Sequence, residues 1–305
     1  MATQIDTLVR EFLEHLEIEK GRSLKTVHNY EFYLKRFTHW AGTKNLKDIT
    51  QDKVRQFRLW LNRSVQGRED ATIKSNTQNY HLIALRSFLK YCMKRDMDCL
   101  SPEKIELAKQ QSRQVEFLES DELKRMLEAS NKPGGLVGLR DNAILETIFS
   151  TGLRVSELSN LKIGGVNLKR DEFTVRGKGG KARIVFLSDS ARAALKIYIE
   201  KRTDTSPYIF VSHDRAKKGR TNSGPLTPRS IQRLVERYAL AAGVTKKITP
   251  HTLRHTFATD LLRNGADIRA VQSMLGHASI TTTQVYTHVT DKQLRDVHKK
   301  FHDKI

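Results

Sequence analysis

Residues 249–255 read Thr-Pro-His-Thr-Leu-Arg-His, and this stretch points to a chemical function more directly than any other in the chain. Proline fits the first position of a helix, so Pro250 predicts that a helix begins here. His251 and Arg254 are three residues apart and therefore share one face of its first turn. The N–H groups at a helix start favour an anion. Together they predict a phosphate site.

The residues of this stretch also allow two other interpretations. A histidine and an arginine at this spacing are typical of a solvated helix face. His251 and His255 are four residues apart, as in zinc proteases, but those enzymes need a glutamate where this chain has Thr252. The chain has only 2 cysteines, which are too few for a disulfide framework or a structural zinc site. A metal site is therefore the weaker interpretation.

Four further candidates lie on either side of this stretch. Arg154 lies within Thr-Gly-Leu-Arg-Val-Ser-Glu-Leu, at another predicted helix start, and Lys178 lies in the turn Gly-Lys-Gly-Gly-Lys. His277 follows Leu-Gly just after a predicted helix stop, and Tyr286 lies within Thr-Thr-Gln-Val-Tyr-Thr-His. Taken singly, Arg154 is also compatible with a surface arginine and Tyr286 with a core residue.

The charge of the chain predicts a polyanionic partner. Lysine and arginine number 54 against 34 aspartates and glutamates, which gives a net charge of +20 and a pI near 10.0. Such an excess is the electrostatic footprint of a nucleic-acid-binding protein, although a basic surface without a specific partner has the same composition.

Taken together, these motifs resemble the tyrosine site-specific recombinases of the phage integrase family, and within it the Xer branch (XerC/XerD/XerA type). The resemblance covers nearly the whole chain. Its signature is an ordered set of arginine, lysine, His-x-x-Arg, histidine and tyrosine. The catalytic residues that the resemblance implies here are Arg154, Lys178, His251, Arg254, His277 and Tyr286.

The resemblance also implies a role for each of these residues. Tyr286 attacks a DNA phosphate and forms a 3′-phosphotyrosyl link, and His251 accepts its proton. The two arginines hold the non-bridging oxygens, and the second histidine donates a further hydrogen bond. Lys178 protonates the departing 5′-oxygen. No cofactor, metal or ATP is expected, since the covalent link conserves the phosphodiester energy. Glu157 either orients a catalytic neighbour or is a surface carboxylate.

The implied function is strand cleavage and exchange through a Holliday junction, in chromosome or plasmid dimer resolution. A mobile-element integrase, a type IB topoisomerase-like nicking-closing enzyme, a metal-dependent nuclease and a non-catalytic DNA-binding protein are the alternatives. The expected partners are a double-stranded DNA recombination site and other recombinase subunits, in a homo-tetramer or in a hetero-tetramer with a sister recombinase. No apolar run of about 18 residues and no signal peptide is visible, so we expect no membrane and a cytoplasmic, nucleoid-associated protein.

The predicted fold is mainly α with a small β-hairpin. The helical period of the first hundred residues predicts a core-binding, SAM-like domain over residues 1–103. A linker over 104–116 and an α+β catalytic domain over 117–305 follow. In the catalytic domain we expect a helix over 141–150, a short strand over 208–211 and a C-terminal helix over 290–305 that docks on a neighbouring subunit or folds back. The predicted DNA contacts of the first domain are Lys25, Thr26, Lys74 and Arg86.

Overall fold

The computed structural model describes residues 3–65, 72–109, 116–177, 180–213, 224–277 and 279–284. The chain divides into two compact units, Met1–Arg113 and Gln114–Ile305. Most described elements are helices, and the single described sheet is a two-stranded antiparallel hairpin. The predicted fold class is therefore confirmed.

The first unit is a bundle of four helices around an aromatic core. The bundle helices are α1 (Gln4–Glu17), α2 (Leu24–Ala41), α3 (Gln51–Arg63) and α4 (Ser75–Met93). Ser23 caps α2 as the sequence predicts, since its hydroxyl accepts a hydrogen bond from the Thr26 N–H at 3.4 Å. The helices bury their apolar faces against each other, and the rings at the centre are at most 2% exposed: Phe12, Phe37, Phe57 and Phe88.

Part of the segment predicted as a linker packs on this first unit. Ile105 is 2% exposed and belongs to the unit's apolar core. The Asn79 side chain exchanges two hydrogen bonds with the backbone of Ala108, at 2.9 and 3.0 Å. These contacts hold the described residues of the segment, up to residue 109, against the bundle. The bounds of the two domains and of the linker stay predictions.

The second unit packs helices around a hairpin and a larger apolar core. Its helices are α5 (Ser120–Asn131), α6 (Gly135–Thr151), α7 (Val155–Ser159), α8 (Asp189–Glu200), α9 (Pro228–Ala241), α10 (Pro250–Arg263), α11 (Ile268–Leu275) and α12 (Thr281–Gln284), and its strands are β1 (Glu172–Arg176) and β2 (Ala182–Phe186). In the hairpin, Phe173 lies opposite Val185 and Val175 lies opposite Arg183. This face of the hairpin points into the unit.

Two elements of this unit differ from the sequence-based prediction. Helix α6 begins six residues earlier than residue 141, at Gly135. Its first turns contain Gly138, and a side chain there would clash with the Pro133 carbonyl oxygen at 1.8 Å. Close packing therefore requires a glycine at a position where helix propensity disfavours one. The predicted strand over 208–211 consists of two isolated bridges, Tyr208 with Lys162 and Val211 with Pro225. Its backbone therefore bonds two separate segments, and it forms no continuous ladder with one neighbour.

Helices α6 and α10 contact each other where the candidate catalytic residues emerge. Gly152 directly follows helix α6, its backbone is left-handed (φ 57°), and a side chain there would lie 2.5 Å from the Phe257 ring of α10. Helix α10 begins as predicted, with Thr249 as its cap and Pro250 in its first turn. Gly152 thus provides both the turn and the close approach that bring Arg154 next to α10.

Candidate active site

Three arginines from three different elements converge on the C-terminal end of α11. The carbonyl oxygens of residues 274–276 accept hydrogen bonds from Arg183, Arg254 and Arg154, in that order, at 2.9, 2.5 and 3.3 Å. The last carbonyls of a helix have no partner within the helix, and the helix dipole makes this end negative. The end of α11 therefore attracts the guanidinium groups and fixes the loop that carries His277.

Glu157 links two of these arginines. One carboxylate oxygen accepts hydrogen bonds from Arg154 Nη1 and Arg183 Nη1, both at 3.0 Å. The other accepts from the Arg154 backbone N–H at 2.9 Å and from Arg183 Nη2 at 2.6 Å. Burial alone raises the pKa of the Glu157 carboxyl, but the hydrogen bonds from Arg183 and Arg154 and the charge of Arg183 outweigh it and lower the pKa to about 2. Glu157 is therefore ionised, and it lies inside the site, not at the surface.

Arg254 is the most deeply buried charged side chain of the site, at 1% exposure. Besides the α11 carbonyl, its guanidinium donates to the Gly152 carbonyl oxygen at the end of α6. Its Nη2 also lies 3.2 Å from His277 Nε2. Burying a guanidinium is costly unless it is hydrogen-bonded, and backbone carbonyls at two helix ends supply acceptors here.

His277 lies between Arg254 and Thr283. Its Nε2 faces Arg254, and its Nδ1 lies 3.0 Å from the Thr283 hydroxyl. Burial, followed by the charges of Arg254 and Arg154, lowers the pKa of His277 to about 4, so the ring is neutral at pH 7. A guanidinium can only donate, so Nε2 accepts and Nδ1 carries the proton. The donor role implied for His277 requires this arrangement to change.

His251 lies on the exposed side of α10, unlike Arg254, although the two share the start of the helix. The centroids of the His251 and His255 rings lie 4.2 Å apart, and the two rings meet edge to face. Partial burial and then the charges of Arg254 and Arg154 lower the pKa of His251, and burial and the His251 charge lower that of His255 to about 3. The Thr252 N–H donates to the Thr249 hydroxyl, so this amide is not available to an anion.

The structure thus brings together four of the six predicted catalytic residues. Arg154 and Arg254 both donate to the C-terminal end of α11, His277 follows that end and contacts Arg254, and the charges of both arginines help to lower the pKa of His251. Lys178 and Tyr286 lie outside the described residues. Of the described residues on either side of Lys178, the Gly180 N–H donates to the Gly177 carbonyl at 3.1 Å, and Gly180 has a φ of 77°.

The four predicted DNA contacts all lie on the first unit. Lys25 and Thr26 are in the first turn of α2, where the Thr26 N–H is bonded to Ser23. Lys74 is the exposed residue just before α4, and Arg86 is half-buried within α4. Their contact with DNA stays a prediction.

Arg183 is a residue of the site that the sequence analysis did not single out, as is Thr283 beside His277. The Arg183 side chain is 7% exposed, and it carries three of the hydrogen bonds described above. A signal was present in the sequence. Side chains alternate along a strand, so Arg183 shares the inward face with Val185. A charged residue on the inward face of a strand must have a partner.

Comparison with known sequences agrees with this arrangement of residues. Residues 116–293 match the phage integrase family, and residues 9–96 match the N-terminal SAM-like domain of phage integrases. The chain belongs to the phage integrase family. It is also 36% identical over 309 residues to the tyrosine recombinase XerD of Staphylococcus saprophyticus, with 98% of this chain and 99% of the relative covered.

Solved structures of phage integrase family members resemble the fold. The chain is 31% identical to XerA recombinase, with a TM-score of 0.53 and with 99% of this chain and 100% of that chain covered. A XerH site-specific recombinase bound to palindromic difH substrate has a TM-score of 0.72 at 23% identity, over 99% of this chain and 91% of that chain. The second likeness concerns the fold alone.

The described residues contain neither a metal-binding cluster nor a membrane-spanning helix. Among these residues, no group of three or more histidine, cysteine, aspartate or glutamate side chains is placed to hold a metal ion. None of the described helices is both long and apolar enough to cross a membrane.

Proposed function

We propose that this protein is a site-specific DNA recombinase that cleaves and rejoins DNA strands through a 3′-phosphotyrosyl intermediate at Tyr286. The observation that carries the proposal is the convergence of Arg154, Arg254 and His277 on the end of α11, within a chain of the phage integrase family. Residues up to 123 positions apart build one cationic site that includes the ionised carboxylate of Glu157. Such a site fits a phosphodiester.

In the proposed mechanism, the phosphate enters beside Arg154 and Arg254, which hold its non-bridging oxygens. Planar guanidinium forks give paired hydrogen bonds to such oxygens, and preorganised donors of this kind lower the barrier by several kcal/mol each. Glu157 keeps the Arg154 fork in place before DNA arrives. The phosphate also supplies a new acceptor beside His277, whose Nε2 accepts from Arg254 in its absence.

His251 takes the proton from Tyr286 in this mechanism. A tyrosine hydroxyl has an ordinary pKa near 10 and is a weak nucleophile at pH 7 without a base. The lowered pKa of His251 keeps its ring neutral and able to accept. Lys178 gives a proton to the departing 5′-oxygen, and the covalent phosphotyrosine then exchanges onto a partner strand without ATP or metal.

We further propose chromosome or plasmid dimer resolution as the biological role. The near-complete coverage against the XerD relative supports this role over mobile-element integration. The active assembly is a tetramer on two recombination sites, either of this chain alone or with a sister recombinase, and it acts in the cytoplasm on the nucleoid. The net charge of +20 supports DNA as the partner.

The test is to recover the DNA that becomes covalently attached to the protein in cells. Cells that produce the protein are lysed in denaturant with excess chelator, and the protein-linked DNA is sequenced. We expect a single short site shared by the recovered fragments, and recombination between two copies of it in vitro without metal. Loss of cleavage in chelator, restored by zinc or magnesium, contradicts the mechanism. Nicking and closing without exchange favours the topoisomerase-like alternative.

A further inference from the structure

We infer that Arg183 is a positioning residue of the active site: it holds Arg154 and the C-terminal end of α11, just before His277, in the geometry that grips the phosphate. This inference rests on the proposed function. Arg183 belongs to β2, and its guanidinium reaches two separate parts of the site. It forms a two-point ion pair with Glu157, at 3.0 and 2.6 Å, and its Nε donates to the Met274 carbonyl at 2.9 Å.

In this arrangement the Arg183 guanidinium is committed to protein atoms. Its side chain is 7% exposed, against 34% for Arg154. Its hydrogen bonds to Glu157 and to the Met274 carbonyl use both terminal nitrogens and Nε, and all three go to protein atoms. Arg154 is therefore the more exposed of these two arginines, and Arg183 acts through other residues.

The first contact determines the orientation of Arg154. Glu157 holds Arg154 through its side chain and its backbone N–H, but a carboxylate on a short helix needs to be held as well. Each Glu157 oxygen that accepts from Arg154 accepts also from Arg183. The two-point pair fixes the plane of the carboxylate, and a fixed carboxylate plane fixes the Arg154 fork.

The hydrogen bond from Arg183 to the Met274 carbonyl determines the position of the C-terminal end of α11, just before His277. Three arginines hold the carbonyls of residues 274–276. In the proposed mechanism Arg154 and Arg254 also hold the phosphate, whereas Arg183 does not. When a phosphate draws on Arg154 and Arg254, Arg183 still anchors the end of α11. The local packing agrees, since a side chain at Gly276 would meet Arg183 Cδ at 2.9 Å.

The inference predicts a defect that depends on the charge of the DNA phosphate. Lysine cannot span both Glu157 oxygens and the Met274 carbonyl, so both Arg183→Met and Arg183→Lys should misplace the Arg154 fork. A misplacement near 1 Å costs on the order of 10²-fold in rate. This loss of rate should appear only on DNA whose scissile phosphate carries a negative charge on its non-bridging oxygens.

The experiment compares two nicked duplexes carrying the site recovered from cells. One has an ordinary scissile phosphate, and the other has a methylphosphonate, in which a methyl group replaces one non-bridging oxygen and removes the charge. The single-turnover rate of covalent complex formation is measured with the full-length protein. Arg192→Met is the matched control, because Arg192 pairs with the exposed Asp189 at 2.6 Å on α8, away from the site.

We expect Arg183→Met and Arg183→Lys to lose about 10²-fold on the phosphate and to keep most of the unaltered rate on the methylphosphonate. Arg192→Met should match the unaltered protein on both. Equal losses on the two substrates, or no loss, overturn the inference. Failure of the unaltered protein to form any adduct counts against the proposed function instead.

A second variant guards against misfolding. Arg183→Met removes one partner of a buried ion pair, which is often strongly destabilising, whereas removal of both charges is better tolerated. The double variant Glu157→Gln with Arg183→Met should therefore melt closer to the unaltered protein. If it too shows the phosphate-specific loss, the inference is supported; if its rate on the phosphate returns to that of the unaltered protein, the inference is wrong.

Discussion

At the scale of single residues, the site combines neutral histidines with permanently charged arginines. The charges of Arg254 and Arg154, together with burial, lower the pKa of both His251 and His277. At pH 7 both imidazole rings are therefore neutral, so His251 is able to accept a proton, while the guanidinium groups supply the positive charge. This division of roles suits a reaction that must deprotonate a tyrosine beside a phosphate.

The lowered pKa of His251 predicts the pH dependence of cleavage. A base must be unprotonated to act, so the rate should fall as pH drops through the His251 pKa, which lies below the ordinary value of 6.5. At low DNA concentration the second-order rate constant reports the free protein. We expect it to be level near pH 7 and to decline only below about pH 6.5.

His251→Gln provides the control for this profile, since it keeps a hydrogen-bonding side chain but cannot act as a base near pH 7. The variant should be much slower and should lose the acidic decline. An unchanged profile in His251→Gln, or a decline centred above pH 7, would mean that another group accepts the proton.

At the scale of elements, helix ends build the site. Helix α6 ends at Gly152, α7 begins after Arg154, α10 begins at Pro250 and α11 ends beside His277. Caps and stops of this kind are legible in sequence, because proline, threonine and glycine signal them. Two features of position 152 require a glycine: its positive φ, and the close approach of the Phe257 ring, which leaves no room for a side chain.

Substitution of Gly152 should therefore damage both stability and activity. Gly42 is a matched control, since it ends α2 with nearly the same φ, 59° against 57°, but has no atom within 4 Å of an added side chain. Gly42→Ala should cost about 1–2 kcal/mol in the free energy of unfolding of the first unit. Gly152→Ala should cost the second unit about 1–3 kcal/mol more through the clash.

Denaturant unfolding of the two variants, with the adduct rate measured in parallel, checks this prediction. Only Gly152→Ala should slow cleavage, because the Gly152 carbonyl also accepts from Arg254. Equal losses of stability in the two variants would show that the ring contact is unimportant.

The C-terminal segment provides a second prediction at this scale. Residues 290–305 lie outside the described residues, but Leu294, Val297 and Phe301 are spaced three and four apart, which predicts a narrow apolar stripe on a helix. If the stripe docks on a neighbouring subunit, head-to-tail contacts can close a ring. Truncation after Val289 should then leave binding to a DNA half-site nearly intact and sharply reduce strand exchange.

The double variant Leu294→Asp with Phe301→Asp should reproduce the effect of truncation without shortening the chain. Gel-shift titrations measure binding, and a two-site assay measures exchange. A lower melting temperature of the truncated monomer would indicate that the helix folds back on its own subunit. Unchanged exchange would mean that the segment is dispensable.

Several elements were predictable from sequence because their signals are local. Ser23, Thr249 with Pro250, and the glycines of the hairpin turn each produce the predicted feature. The role of Arg183 was not predictable in this way, since its partners Glu157 and Met274 are 26 and 91 residues away. The burial of Arg254 also depends on distant carbonyls, so the sequence indicated its chemistry but not its surroundings.

At the scale of the whole molecule, the net charge of +20 determines how DNA binding responds to salt. If both units bind the same duplex, many lysines and arginines displace counterions from phosphates. A protein making about 6–10 phosphate contacts loses about 10³–10⁵ in affinity between 50 and 200 mM salt. We expect a loss in this range for the full chain on its own site, measured by fluorescence anisotropy.

The two units should bind far more weakly apart than together, because linkage raises the effective concentration of the second contact. Each unit has its own apolar core, which makes separate expression reasonable. A salt-insensitive affinity, or one unit that binds as tightly as the full chain, would contradict binding by both units.

The proposed mechanism depends above all on attack by Tyr286 on DNA and on the covalent link that results. The most direct measurement is adduct formation on a nicked duplex carrying the recovered site, in denaturing gels with excess chelator and with peptide mapping of the linked residue. We expect a 3′-phosphodiester on Tyr286 in the unaltered protein. Tyr286→Phe should still bind DNA but should form no adduct. An adduct of normal yield in Tyr286→Phe, or a link mapped to another residue, would contradict the proposed mechanism.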